Sequence, residues 1–294
     1  MWLRMLVNNW LQTSGKQQIM DAFAEAVRQP TARSAESSDS TEGGEPAPPC
    51  DVAIIFALDI EAGGSVDLLQ DKISSRYENC MEYAGRFGSR NVVITESGVG
   101  RKLAGQVTTD VLKIHNPAWV VSAGFAGALQ DGVRRGHLVM AETIVDETGN
   151  QLETGLRLDP QTLSKQPWLH TGRLLTVDKV VRSEEEKRKL GEQFNAVACD
   201  METAAVAEAC RQAKVRFLSV RIITDAVDER LPPEVESLLG QKSMAAKLGA
   251  AAGAIFNRPS SIKDMWNLRE EAIKASDRLA KFLQGTVEQL TRQS

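Results

Sequence analysis

From residue 51 onward, short β-branched apolar runs alternate with stretches of helical composition, and this alternation most constrains what the chain can fold into. DVAIIFAL (51–58) has the unbroken apolar character of a strand buried on both faces. NVVITESGVG (91–100) reads as a second strand running into a glycine turn, and PAWVVSAGFAGAL (117–129), HLVMAETIV (137–145) and RLLTVDKVV (173–181) follow. DMETAAVAEACRQAKV (200–215) is helical in composition, and RFLSVRIITDA (216–226) returns to strand. Strands that alternate with helices predict an α/β architecture with a largely parallel or mixed sheet. Ligands of such sheets gather at the carboxyl ends of the strands.

The flanks differ from this core. Trp2, Leu3, Met5, Leu6, Trp10 and Leu11 are broken by Arg4, Asn8 and Asn9, a spacing that predicts a helix face and neither a signal peptide nor a membrane span. Residues 31–49 are dominated by Ser, Glu, Gly and Pro and read as a flexible linker, giving an N-terminal region of 1–50. The domain then runs from 51 to 294, with a helical addition over about 235–294. Within that addition, the Ala-rich segment 243–256 is too short and too charged to span a membrane. After Pro259, Ser261 and Asp264 form a capping-box-like start, and Met265, Leu268, Ala272, Ala275, Leu279 and Phe282 give one apolar stripe. Docking on the main domain or on a second subunit is the plain reading of that stripe; recruitment of a lipid-like substrate or a partner is the sharper one.

Composition narrows the chemistry. With 35 Lys+Arg against 39 Asp+Glu, the formal net charge is -4, which argues against non-specific nucleic-acid binding. Four cysteines without a C-x-x-C pair and three histidines argue against a zinc cluster or a disulfide framework, and for a reducing, cytoplasmic compartment. Carboxylates are left as the agents of any catalysis. Glu61 closely follows the first buried run, Asp225 ends the run RFLSVRIITDA, and Glu202 stands among Met201, Ala204, Ala205 and Val206 at a buried helix start. Taken singly, each acid is more often a helix cap or a surface charge. Together, beside apolar strands and small residues, they predict a cleft.

The ordered set AIIFALDIE, SGVGRKLAG, AGFAGAL, DMETAAVA and VRIITDA resembles the purine nucleoside phosphorylase and nucleosidase superfamily over residues 51 to about 230, and within it the 5′-methylthioadenosine/S-adenosylhomocysteine nucleosidases. The resemblance implies a three-layer α/β/α fold with a central mixed sheet, of phosphorylase/hydrolase type. It implies hydrolysis of an N-ribosidic bond in an adenosine-type nucleoside. The partners are then the nucleoside and water, without metal, cofactor or nucleic acid, in a homodimer.

By the same resemblance, Asp225 is the general acid at purine N7 and Glu61 positions and activates water. Glu202 accepts hydrogen bonds from the ribose hydroxyls, Met201 packs on the sugar, and Arg221 and Thr224 order the water and the acid. Phe125 and Gly127 of AGFAGAL, and Val180 and Val181 of TVDKVV, complete the substrate-binding set. Outside the family, Arg221 reads equally as a structural partner of Glu61 or Glu202, and Met201 as core. The turn SGVGRKLAG reads either as a phosphate cradle or as tight strand–helix packing.

The chain departs from the family at three places. The phosphate-holding arginine and serine of the phosphorylases correspond to Ser122 and Phe125, so water is the expected nucleophile, unless Arg101, Lys102 or Arg221 compensates. A small hydroxyl that steadies the catalytic aspartate is replaced by Phe125, and the aromatic that stacks on adenine by Val180. These departures keep open a bulkier 5′ substituent, as in adenosylated hopanoids or futalosine, with segment 243–256 lining the enlarged pocket. Phosphorolysis and a catalytically silent nucleoside-binding protein remain the other readings.

Overall fold

The computed structural model describes residues 50–77, 80–231 and 261–290. The expected N-terminal helix, the linker and the Ala-rich segment 243–256 lie outside the described residues, as do the side chains of Ser261, Asp264, Met265 and Leu268.

The strands are β1 (Val52–Phe56), β2 (Gln70–Arg76), β3 (Met81–Phe87), β4 (Arg90–Glu96), β5 (Trp119–Ala128), β6 (Leu138–Asp146), β7 (Gln151–Glu153), β8 (Leu169–Thr176), β9 (Ala196–Asp200) and β10 (Arg216–Asp225). The helices are α1 (Asp59–Leu68), α2 (Arg101–His115), α3 (Pro160–Ser164), α4 (Glu184–Phe194), α5 (Thr203–Ala213) and α6 (Ser261–Gln289). All the strands join one mixed sheet. β1 runs parallel to β4 and β5, and β5 parallel to β10, while β2, β3 and β4 pair antiparallel at one edge. At the other end β5, β10, β6, β8 and β9 pair in a closed circuit, so that half of the sheet curls into a small barrel.

Alternation of side chains along β1 shows how the layers form. Val52, Ile54 and Phe56 face a core shared with Ala62 and Val66 of α1 and with Leu279, Phe282, Leu283 and Val287 of α6. Ala53 and Ile55 face the opposite core, with Ala104, Val107 and Val111 of α2 and Val206 and Cys210 of α5. The sheet therefore lies between two helical layers, the expected three-layer architecture. Local signals fix the helix ends. Ser183 caps α4 by accepting the Glu186 N–H at 3.2 Å, and α2, α4 and α5 stop at left-handed Asn116, Asn195 and Lys214.

PAWVVSAGFAGAL, expected as a strand, is one from Trp119 to Ala128, because β10 pairs with β5 from Trp119 to Gly127 and β9 takes up Gly127 and Ala128. One local expectation changes. RLLTVDKVV, expected as one strand, leaves the sheet after Thr176. The C-terminal stripe docks on the chain's own domain: Leu279 and Phe282 are buried, and Ala272 and Ala275 are half-buried. Ser276 joins α6 to α1 by accepting the Gly64 N–H and donating to the Glu61 carbonyl, each at 3.0 Å. Among the described residues no helix is long and apolar enough to cross a membrane.

Because Leu283 is fully buried between α6 and the sheet, Leu283→Ala is expected to cost about 2–5 kcal/mol of stability in urea unfolding. Ile273→Ala, on the same helix and 46% exposed, should stay within about 0.5 kcal/mol of wild type. Equal effects would refute this docking of α6.

Candidate active site

The carboxyl ends of β1, β5 and β10 point the same way because these strands are parallel neighbours. A cavity of about 180 Å³ opens there. Of the residues singled out from the sequence, Glu61, Phe125, Gly127, Val180, Val181, Met201, Glu202, Thr224 and Asp225 line it, and Arg221 lies behind the lining.

Glu61 sits in the first turn of α1, next to the end of β1. Its Oε2 accepts the N–H groups of Ala57 and Leu58, each at 3.0 Å, and its Oε1 accepts that of Phe125 at 2.8 Å. The carboxyl is thus pinned between two strand ends. Burial pushes its pKa up, against the Arg221 charge and the three N–H donors. Arg221 comes from the middle of β10 and is 1% exposed. It pairs at register with Gly124, where a Cβ would lie 2.5 Å from the guanidinium and 2.9 Å from Glu61 Oε1. Only glycine lets both groups approach the strand this closely.

Arg221 does not pair with Glu202, as one reading of the sequence held. Its Nη2 is 2.7 Å from Asp200 Oδ2 and donates to Ser122 Oγ at 2.7 Å and Thr203 Oγ1 at 2.6 Å. Asp200 ends β9 and lines the cavity, yet the sequence reading passed over it. It organises the start of α5 by accepting the Thr203 N–H at 2.9 Å, the Thr203 hydroxyl, and the Thr176 hydroxyl at 2.8 Å. Its signal was its place at a strand end, one residue before the Met-Glu pair.

Glu202 stands at the N-cap of α5 but caps nothing; its Oε1 accepts the Gly100 N–H at 2.8 Å. This bond gives the glycine turn its local role. Gly100 has φ +97 at the start of α2, and its N–H is directed at a carboxylate. Arg101, the next residue, pairs with Asp178 at 2.7 Å and lies 3.5 Å from Glu147 and 3.7 Å from Asp146. The two guanidinium groups raised as substitutes for the phosphate clamp, Arg101 and Arg221, are therefore both held by protein carboxylates. Burial, reinforced by the Asp200 charge and opposed by Arg221, pushes Glu202 up to about 8.

Asp225 ends β10 just after a register shift between Ile223 and Asp225, an irregularity of the kind that re-aims a side chain. Its Oδ1 accepts the Thr224 hydroxyl at 3.0 Å. Its Oδ2 lies 2.6 Å from Lys187 Nζ. Burial raises the Asp225 pKa, against the neighbouring ammonium and the Thr224 hydroxyl. Lys187 was also missed. It lies in the charged run SEEEKRKLGEQF and resembles a surface lysine, but it shares a helical face with Leu190, Gly191 and Phe194. That spacing was the available signal.

A family model described as the phosphorylase superfamily matches residues 51–256. The 5′-methylthioadenosine/S-adenosylhomocysteine nucleosidase of Staphylococcus epidermidis is 26% identical over 220 residues, covering 66% of this chain and 95% of the relative. That of Staphylococcus haemolyticus is 26% identical over 216 residues, with the same shares covered. Among solved structures, a Helicobacter pylori MTAN mutant with 5′-methylthioadenosine in the active site aligns at a TM-score of 0.61 and 20% identity, over 83% of this chain and 100% of that one. Futalosine hydrolase of Helicobacter pylori aligns at 0.60 and 20% identity, over 82% and 98%.

The Glu202 shift gives a stability prediction. A carboxyl at about 8 when folded and near 4.5 when unfolded binds more protons in the folded state between those values. Stability is then lost as pH rises from about 4.5 to about 8, at up to about 1.4 kcal/mol per pH unit. Glu202→Gln, which cannot ionise, should escape that loss and gain on wild type across the window in urea titrations. A stability difference that stays flat from pH 4 to 9 would contradict the shift.

Proposed function

This chain belongs to the phosphorylase superfamily, and we propose that it hydrolyses the N-ribosidic bond of an adenosine-type nucleoside of the 5′-methylthioadenosine or S-adenosylhomocysteine class, releasing the free purine. One observation carries the reading: Glu61, Glu202 and Asp225, from three strand ends, line a single cavity with Arg221 behind it.

The chemistry requires a group that makes the purine a better leaving group and a site that tolerates positive charge on the sugar. Asp225 supplies the proton. Its carboxyl is buried and its pKa raised, so it holds a proton closer to neutrality than a free aspartic acid, and it gives that proton to N7 as the C1′–N9 bond breaks. The Thr224 hydroxyl on Oδ1 orients it. Glu61, pinned by three N–H groups, holds the water that adds to C1′ and takes its proton. Glu202 receives the ribose 2′- and 3′-hydroxyls, whose donors favour its ionised form, and Met201 packs on the sugar. Arg221 reaches the water only through Glu61 and Asp200; it is a positioning residue.

The base contacts follow the departures noted in the sequence. Val180 gives the base an aliphatic surface where a ring would stack, the Val181 backbone meets the base edge, and Phe125 and Gly127 flank the sugar and the acid. Water is favoured over phosphate as nucleophile, since Arg221 and Arg101 are both engaged by carboxylates. The four cysteines are free thiols, in keeping with a cytoplasmic enzyme, and a place in methionine salvage follows from the proposed substrate class. The homodimer rests on the family resemblance alone.

Incubation with 5′-methylthioadenosine, S-adenosylhomocysteine and bulkier 5′-substituted adenosines, with and without phosphate, should release adenine independently of phosphate. Asp225→Asn is expected to lower kcat about 10²–10⁴-fold while binding survives. Phosphate-dependent release would establish phosphorolysis instead, and tight binding without release from any nucleoside would make the protein a binder.

A further inference from the structure

Lys187 has no assigned part in the reaction, yet its side chain is fully buried against the acid that does. Its Nζ lies 2.6 Å from Asp225 Oδ2 and donates to the carbonyls of Ala226 at 2.8 Å and Glu229 at 2.6 Å. An ammonium has three N–H donors, and three oxygens surround this one. Bringing such a cation out of water costs several kcal/mol unless its partners are well placed. An aliphatic residue on the same face of α4 would fill this space without that cost.

Two features of the contact point to the acid. Asp225 Oδ2 is wholly buried and makes no aligned hydrogen bond, so its ion pair with Lys187 at 2.6 Å is what meets the inner oxygen, while Oδ1 carries the Thr224 bond. Position 125 is phenylalanine, whose ring cannot donate a hydrogen bond to a carboxyl, although its backbone N–H goes to Glu61. The side chain at position 125 therefore cannot steady Asp225 by a hydrogen bond, and the cation of α4 lies against Oδ2.

We propose that Lys187 is the positioning residue of the catalytic acid: its ammonium clamps Asp225 Oδ2, keeps Oδ1 available to the purine, and stabilises the carboxylate left once the proton has gone. The proposal rests on the hydrolytic reading of the site. The proton passes from Oδ1 to N7 as the C1′–N9 electron pair moves onto the purine. Water adds to C1′ and loses its proton to Glu61, and solvent restores the two carboxyls to their starting states. A cation beside the carboxyl makes Asp225 a stronger acid and lowers the pH at which its proton is lost. Among the described residues, the other charged or titratable groups around the pair are Cys199 on β9, Arg135 between β5 and β6, and Glu229 after β10. The Glu229 carboxylate is engaged at 2.7 Å by Arg135 and at 3.0 Å by the Ala226 N–H.

The test compares wild type with Lys187→Met, and with Lys187→Gln, which keeps donors for the two carbonyls. Each is assayed on 5′-methylthioadenosine and on 4-nitrophenyl β-D-riboside, whose leaving group departs without protonation. On the adenine nucleoside, kcat should fall about 10²-fold with KM nearly unchanged, and the alkaline limb of the pH profile should move up by about a unit or more. On the nitrophenyl riboside, the loss should be less than about threefold, and Lys187→Arg should recover part of the lost kcat. Equal losses on both substrates, or an unmoved alkaline limb, would overturn the role of Lys187 alone. Failure of wild type to release purine from any nucleoside would remove the hydrolytic reading and this inference with it.

Discussion

Burying carboxylates is the constraint on which this structure turns. Four acids, Glu61, Asp200, Glu202 and Asp225, are each no more than 7% exposed, at or next to the ends of largely apolar strands. An unpaired buried charge costs far more than any single contact returns, so each acid must find a cation, take a proton, or collect N–H donors. The chain uses all three devices. Asp200 takes Arg221, Glu61 collects three backbone N–H groups, and Glu202, with only the Gly100 N–H, is pushed up to about 8. Asp225 has both a raised pKa and a buried ammonium.

This pattern separates the acids by task. In the proposed reaction the acid that gives up a proton, Asp225, and the one that receives one, Glu61, occupy different strand ends, with different partners. Burial raises the pKa of both, opposed at Asp225 by the Lys187 ammonium and the Thr224 hydroxyl and at Glu61 by the Arg221 charge and three backbone N–H donors. The fold contributes the geometry. Parallel pairing of β1, β5 and β10 brings their carboxyl ends to one edge, and the register shift before Asp225 re-aims the last residue of β10. α6 reinforces the same edge from behind, since Ser276 bonds the Glu61 carbonyl and so ties the C-terminal helix to the turn that carries Glu61.

Much of the fold could be read from periodicity, because strands buried in the sheet are largely apolar runs and β1, β4, β5, β6 and β10 are of that kind, while the run at 173–181 met β8 only as far as Thr176. What was not read has a different composition. β2 is exposed along its whole length, β7 has three residues, and β9 (AVACD) has a single β-branched residue among small ones. α1 holds two glycines and shows no apolar stripe, so its helicity is set by packing against α6 and the sheet. The glycines of AGFAGAL let the Arg221 guanidinium and the Asp225 carboxyl lie against a strand.

By itself the sequence determined the alternation that makes a layered α/β chain, the strand-end positions of Glu61, Glu202 and Asp225, and the ordered motifs that mark the superfamily. These are local properties, fixed by residue type and spacing. The tertiary structure alone decided how those acids are neutralised. Asp200 rather than Glu202 receives Arg221, and a lysine from a highly charged helix is buried against Asp225. The physical reason is that pairing and desolvation depend on distances between residues 21 to 38 positions apart in the chain, which no local pattern encodes.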